Sequence, residues 1–187
     1  MVVDSLAAIQ RLLLEAVKAD TPLLGALATQ DKSNRTRVRM VVIRQFDPDE
    51  MRISLSTDSR SAKVAQLRAN PWAEVCIWSS GQRIALRLMA RWTVIQCEGQ
   101  SDLSTFRLQQ FWDAHSAASK ALFLGASPGE PYEPAVLSKI PVRFPDTFVE
   151  LSGQIFEIDA LAIGREQLRW RYQRQNTGGW AGMRINP

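Results

Sequence analysis

A mainly β domain with α+β content is the fold class this sequence predicts, and three stretches predict it. Within residues 82–96, Ile84, Leu86, Leu88, Ala90, Trp92 and Val94 alternate with Arg83, Ala85, Arg87, Met89 and Arg91. A period of two with one apolar face marks a strand laid on a core. Residues 167–175 and 180–185 flank Asn176-Thr177-Gly178-Gly179, a strong hairpin signal. Residues 39–44 and 52–57 flank Asp47-Pro48-Asp49-Glu50, good chemistry for a tight connection. Many strands with a few inserted helices point to a barrel.

In chain order, Asp4 or Ser5 can cap a first helix whose Leu6, Ile9, Leu13 and Val17 share a face, closed by Thr21-Pro22. Strands follow at 23–29 and 35–44, joined by the polar loop 30–34, and a third spans 52–57. A short helix over 61–69 is stopped by Asn70-Pro71. A strand over 72–79 turns at Ser80-Gly81 into the long strand 82–96. Residues 101–123 read as a broken or kinked helix, with Leu103, Phe106, Phe111, Trp112 and Leu122 available for packing. After the Pro- and Gly-rich loop 125–134, strands return at 147–159, 167–175 and 180–185.

The 187 residues suit one domain, 1–187, with 45% hydrophobic and 22% charged residues. No apolar run approaches a membrane span, and Met1-Val2-Val3-Asp4 leads directly into an amphipathic pattern, so neither a membrane anchor nor a signal peptide is expected. The expected location is cytoplasmic. Cys76 and Cys97 lie in apolar strand-like contexts without CxxC spacing, and are expected to be buried free thiols. The net charge of +4 raises nucleic acid as a partner, but the arginines are dispersed among acids with no basic block, which argues against it.

His115 is the single histidine, so a His-based metal site is untenable, and two distant cysteines speak against structural zinc; no metal is expected. Its place in helical sequence points to packing. No GxSxG elbow, GxGxxG or Walker loop occurs, so the chemistry of an enzyme with this chain would come from a bound organic cofactor. The stretch with the most chemistry is Arg39-Met40-Val41-Val42-Ile43-Arg44, followed by Ser56-Thr57-Asp58-Ser59-Arg60-Ser61-Ala62-Lys63. Forked guanidinium donors, an ammonium and hydroxyls beside strand ends suit a phosphate monoester.

These residues resemble the pyridoxamine 5′-phosphate oxidase family of FMN-binding proteins, whose fold is a split β-barrel with peripheral helices. The family's Arg-x-Val-Leu-Leu-Lys corresponds to Arg39–Arg44, its aromatic or small residue followed by Thr to Ser56-Thr57, and its Ser-Arg-Lys to Ser61-Ala62-Lys63. Asn70-Pro71 and the C-terminal Arg169-Trp170-Arg171-Tyr172-Gln173-Arg174, Trp180 and Arg184-Ile185-Asn186-Pro187 match as well. The resemblance implies that Arg39, Thr57 and Lys63 bind the FMN phosphate and ribityl chain. Met40, Ser56 and Ser61 belong to the same cofactor motifs. Val41, Val42 and Ile43 would lie along the isoalloxazine, with Arg44 near flavin or substrate. Arg60 would supply the charge missing at Ala62, Arg87 and Arg169 would contact the flavin, and Arg165 a substrate anion.

There are departures. The family's flavin-contacting Gln is Ala85 here, and its Arg-x-His segment reads Arg165-Glu166-Gln167. The resemblance implies a homodimer with FMN at the interface that exchanges a hydride at flavin N5, with pyridoxamine or pyridoxine phosphate as substrate by analogy. The same barrel also hosts reductases that use a nicotinamide or deazaflavin donor, and non-catalytic FMN-binding proteins.

Overall fold

Strand pairing closes a barrel because the chain changes partner at Arg44. The computed structural model describes residues 4–97, 102–131 and 140–187. β1 (Leu23–Gln30) and β2 (Thr36–Ile43) form an antiparallel hairpin. Arg44 N then donates to Ser54 O at 2.8 Å, and β3 (Gln45–Asp47) pairs with β4 (Arg52–Asp58). The turn between β3 and β4 is held by Asp47, whose carboxylate accepts from the backbone N–H groups of Asp49 and Glu50. The expected strand over residues 35–44 thus ends one residue earlier, and three-residue β3 is an addition that its length hid from periodicity.

β5 (Trp72–Ser79) pairs with β1 and β6 (Ile84–Ile95), and β6 runs along the whole of β7 (Phe148–Ala162). The first half of β7 pairs with β4, which brings the sheet round to face β2. Its second half pairs with β8 (Leu168–Arg174), which pairs with β9 (Trp180–Ile185) across the expected hairpin, where Gly178 takes φ +90°. The fold is a split β-barrel. Among the described strands β2 bonds to β1 alone, so the wall between β2 and β4 is left open.

The predicted alternation of the long strand holds: Ile84, Leu86, Leu88, Ala90 and Trp92 are buried, and Arg87 and Arg91 are exposed. Each such side chain contributes about 1.5–3 kcal/mol on full burial if large and apolar. Gly153 on β7 lets the Trp92 ring lie on the backbone, since a Cβ there would stand 3.0 Å from ring atoms. The same period corrects the expectation for the cysteines. Cys76 shares the outer face of β5 with Trp72, Glu74 and Trp78 and is exposed, while Cys97, just past β6, is half-buried; neither forms a disulfide.

α1 (Leu6–Lys18) is capped by Ser5, whose Oγ accepts from Ala8 N at 3.2 Å, and buries Ile9, Leu12 and Leu13. Gln10 ties it to the β3–β4 turn through Pro48 O. α2 (Ala62–Ala69) buries Val64 and Leu67 in the barrel core. The expected break in the third helix is real: α3 (Asp102–Asp113) and α4 (Ala117–Ala121) are separate, with His115 between them. Leu108, Phe111, Trp112, Phe144 and Phe148 form a second core beneath α3. Arg107 of α3 grips the fully buried Glu150 of β7 with Nε and Nη2, at 2.6 and 2.5 Å, fixing the helix over the outer face of β4 and β7. Part of the expected loop 125–134 lies outside the described residues. No helix among the described residues is long and apolar enough to cross a membrane.

Candidate functional site

The open wall between β2 and β4 forms a cleft of about 210 Å³, and half of the residues singled out by sequence line it. Met40, Val41, Val42 and Arg44 form one side and Leu55, Ser56 and Thr57 the other, with Lys63 at one end. His115, Leu122 and Phe123 close the outer edge. A second cleft of about 220 Å³ shares Val42, Arg44 and His115 with the first, and adds Ile43. Arg44 also lines the larger groove, about 830 Å³, between α1, the β3–β4 hairpin and α3. Arg44 therefore stands where three depressions meet.

Lys63 Nζ donates to Thr57 Oγ1 at 2.9 Å and to Ser61 Oγ at 2.7 Å. Both hydroxyls, with a lone pair taken by the ammonium, keep their own hydrogens for an acceptor. Arg39 donates to Thr29 Oγ1, Leu27 O and Gln66 Oε1 at 2.5, 3.3 and 2.8 Å. Burial pushes the Lys63 ammonium below its ordinary value and the nearby Arg39 charge pushes the same way; burial lowers Arg39 too. Two neighbouring cations hydrogen-bonded to neutral groups form a site with unspent positive charge, and its donor set fits a phosphate monoester.

Arg60 sits elsewhere in this logic. Its guanidinium grips Asp58, with Nε to Oδ1 at 3.0 Å and Nη2 to Oδ2 at 2.6 Å, and also donates to Gly125 O. Asp58 raises the Lys63 pKa, so it is the acid that Lys63 senses, and Arg60 occupies it. Arg87 and Arg169 lie apart from the cleft residues, on the outer face of β6–β8, both bonded to Asp159. Ala85 lies on that same face, paired in register with Trp78 and Leu161. Arg165 is in the exposed turn between β7 and β8 and lines none of these three clefts.

His115 was legible only as a packing residue. It is indeed buried against Phe111, Phe123 and Phe148, but its Nε2 also lies 2.6 Å from Ser56 Oγ on the cleft wall. Burial pushes the imidazole below its ordinary value; the Phe111 carbonyl opposes this, and Arg44 and Lys120 reinforce it. Its position depends on the α3–α4 break, and only its being the sole histidine marked it in the sequence.

A split barrel whose cleft joins an apolar wall to a cationic end fits a phosphorylated ligand. Residues 7–96 match the family model described as the pyridoxamine 5′-phosphate oxidase FMN-binding domain. A curated Arabidopsis thaliana protein, "Pyridoxine/pyridoxamine 5′-phosphate oxidase 2", is 29% identical over 126 residues, covering 65% of this chain and 64% of the relative's own length. The crystal structure of a pyridoxamine 5′-phosphate oxidase-related, FMN-binding protein from Nostoc punctiforme superposes with a TM-score of 0.86 at 26% identity, covering 100% of both chains. PhzG from Burkholderia lata shares the fold, with a TM-score of 0.72 at 18% identity over 97% of this chain and 91% of that one. The chain is thus similar to pyridoxamine 5′-phosphate oxidase-related, FMN-binding proteins, its residues 7–96 match the FMN-binding domain of that family, and these likenesses support FMN as the cofactor.

Proposed function

We propose that the protein is an FMN-dependent oxidoreductase that works as a homodimer, with pyridoxamine or pyridoxine phosphate as its substrate. The observation that carries this reading is the pair Lys63 and Arg39, hydrogen-bonded to hydroxyls, a carbonyl and an amide rather than to carboxylates, at the end of a cleft walled by Val41 and Val42. Lys63, Arg39, Thr57 and Ser61 would hold the FMN phosphate, and the β2 wall would support the ring. Bound FMN supplies a two-electron acceptor for a substrate hydride. Arg44, at the junction of the clefts, would anchor the substrate's phosphate by a forked pair of hydrogen bonds. Arg165 is proposed as a second contact for that anion.

The homodimer is supported by an apolar outer face. Leu24, Val38, Met40 and Trp78 are each half or more exposed, and β1 places them close together: Met40 is in register with Ala26, which is in register with Cys76. Contiguous exposed apolar surface of this kind marks an interaction site. A second copy on this face would bring its own Arg87 and Arg169 toward the cofactor, the role that the family resemblance gives them.

The test begins with the absorbance spectrum of the purified protein and the mass of what acid releases. A yellow protein that releases FMN, sediments as a dimer and consumes oxygen with pyridoxamine or pyridoxine phosphate is the expected result. A flavin-loaded protein inert toward both B6 phosphates overturns the substrate; if it oxidises NAD(P)H instead, the reaction is a reductase's. A monomer at micromolar concentration overturns the dimer.

A further inference from the structure

His115 has both ring nitrogens engaged at the edge of the flavin cleft. Its backbone N–H closes the end of α3 by donating to Trp112 O at 3.0 Å, and its side chain, 7% exposed, is packed edge-on against Phe148 at 5.5 Å. Nδ1 lies 2.6 Å from the carbonyl oxygen of Phe111. A carbonyl can only accept, so Nδ1 carries a hydrogen. In the neutral ring Nε2 is then a bare lone pair, and it faces Ser56 Oγ at 2.6 Å. Ser56 must spend its hydrogen there, so it presents only lone pairs to the cleft.

Burial favours the neutral ring, and the cations around it reinforce this. Arg44 from the β2–β3 junction, Lys120 from α4 and Lys63 from α2 are cations on or beside the cleft. Asp20, after α1, is the acid that lines the adjoining cleft with His115. From β7 only Phe148 reaches the ring among the described contacts. The cleft therefore has hydrogen-bond donors at the end formed by Lys63 and Thr57 and, at Ser56, the residue before Thr57 on β4, a fixed acceptor. A phosphorylated polyol has the complementary order, an anion at its end and hydroxyl donors behind it.

We propose that His115 is a positioning residue that holds Ser56 as the hydrogen-bond acceptor for a ribityl hydroxyl of FMN, so that protonation of His115 loosens the flavin. The inference rests on FMN occupying the β2–β4 cleft. In the imidazolium both nitrogens donate. Nε2–H then points at Ser56 Oγ and the serine hydrogen turns into the cleft, so the ligand hydroxyl loses the acceptor it donated to and has to turn to accept instead.

With one histidine in the chain, protein without an added tag gives a single imidazole Cε1–H signal in proton NMR, and its pH titration can be followed with and without saturating FMN. Linkage requires that a ligand preferring the neutral ring move the titration midpoint downward. In parallel, FMN dissociation constants from fluorescence quenching are compared between pH 8 and 5.5 for the wild type, Ser56→Ala and His115→Gln. The FMN phosphate itself titrates near pH 6, as phosphate monoesters do, and this part of the pH dependence is common to all three proteins.

At pH 8, Ser56→Ala is expected to bind FMN about fivefold more weakly, the loss of one neutral hydrogen bond. His115→Gln keeps an acceptor that does not titrate, so the wild type should weaken relative to it by about fivefold as the pH falls to 5.5. An imidazole midpoint that FMN leaves unmoved or raises would overturn the proposal, as would identical pH curves for the wild type and His115→Gln. If either variant fails to fold, the wild-type titration decides alone. Wild type that takes up no FMN at pH 8 defeats both this inference and the placement of the cofactor; uptake with an unmoved midpoint defeats the inference only.

Discussion

On the outer face of β6–β8, Arg87, Arg169 and Arg171 surround Asp159, whereas at the β2–β4 cleft Arg39 and Lys63 have hydroxyls, a carbonyl and an amide around them. Register explains the first cluster: Asp159 is the direct cross-strand partner of Arg87 on β6 and of Arg171 on β8. Arg169 completes it with two bonds, at 2.9 and 2.8 Å, and holds the Asp159 carboxyl below its usual range. At the cleft the nearest acid, Asp58, is already gripped by Arg60. Two basic clusters of similar composition thus differ in whether a carboxylate is within reach. In one the cations share a carboxylate within the chain, and in the other they have only neutral partners.

The largest expected effect tests the side with neutral partners. Lys63→Ala removes a charged donor to the phosphate, an interaction of about 2 kcal/mol, so FMN should bind roughly thirtyfold more weakly with thermal stability little changed. Arg39→Ala should act in the same direction, with some added loss of stability because Thr29 and Gln66 lose their partner. Fluorescence titration and a thermal melt of each variant separate the two effects, and unchanged FMN affinity in both would sink the assignment.

Asp159→Ala tests the side with the shared carboxylate. It leaves three guanidinium groups without their shared carboxylate, and the expected result is a loss of about 1–2 kcal/mol in denaturant unfolding, reduced because the arginines are partly exposed. The sign with pH follows from the lowered Asp159 value. Its contribution is fully present above the unfolded carboxyl value and is lost as pH falls through the folded one, so the variant and the wild type should converge in acid.

Arg60→Ala would blur the comparison by releasing Asp58 next to Lys63. FMN affinity should then fall about fivefold, on the order of 1 kcal/mol, through the charge released on Asp58. Asp58→Asn combined with Arg60→Ala should restore most of the loss. A double variant as weak as Arg60→Ala would mean that Arg60 acts by direct contact.

Sequence pattern showed the barrel well where period two runs long. β5, β6 and the β8–β9 hairpin needed only alternation and turn residues, and the cleft residues sit in two contiguous motifs. Three features were hidden for definite reasons. β3 is three residues long, too short to show a period. The pairing of Asp159 with Arg87 spans 72 residues and follows from strand register, so composition could suggest only a generic ion pair. The contact between His115 and Ser56 spans 59 residues and needs both the α3–α4 break and the second aromatic core. The pairing of Arg60 with Asp58, two residues earlier, is local, yet the motif match assigns Arg60 to the cofactor without weighing that ion pair.

The smallest effect belongs to the residue that joins the two parts of the cleft wall. His115 is buried as a neutral ring, with its folded value below the ordinary 6.5. A depressed folded value means that the unfolded chain binds the proton first. The stability from burying the neutral imidazole is therefore intact above about pH 6.5 and is lost progressively as the pH falls below it. Apo wild type should lose a few degrees more in Tm between pH 7.5 and 5.5 than His115→Gln, which has no proton to take up at that position. Parallel Tm curves for the two proteins would mean that His115 titrates alike in the folded and unfolded chains. Ser56 would then not be held as a fixed acceptor, and the cleft would keep its cationic phosphate end without the acceptor that the imidazole creates.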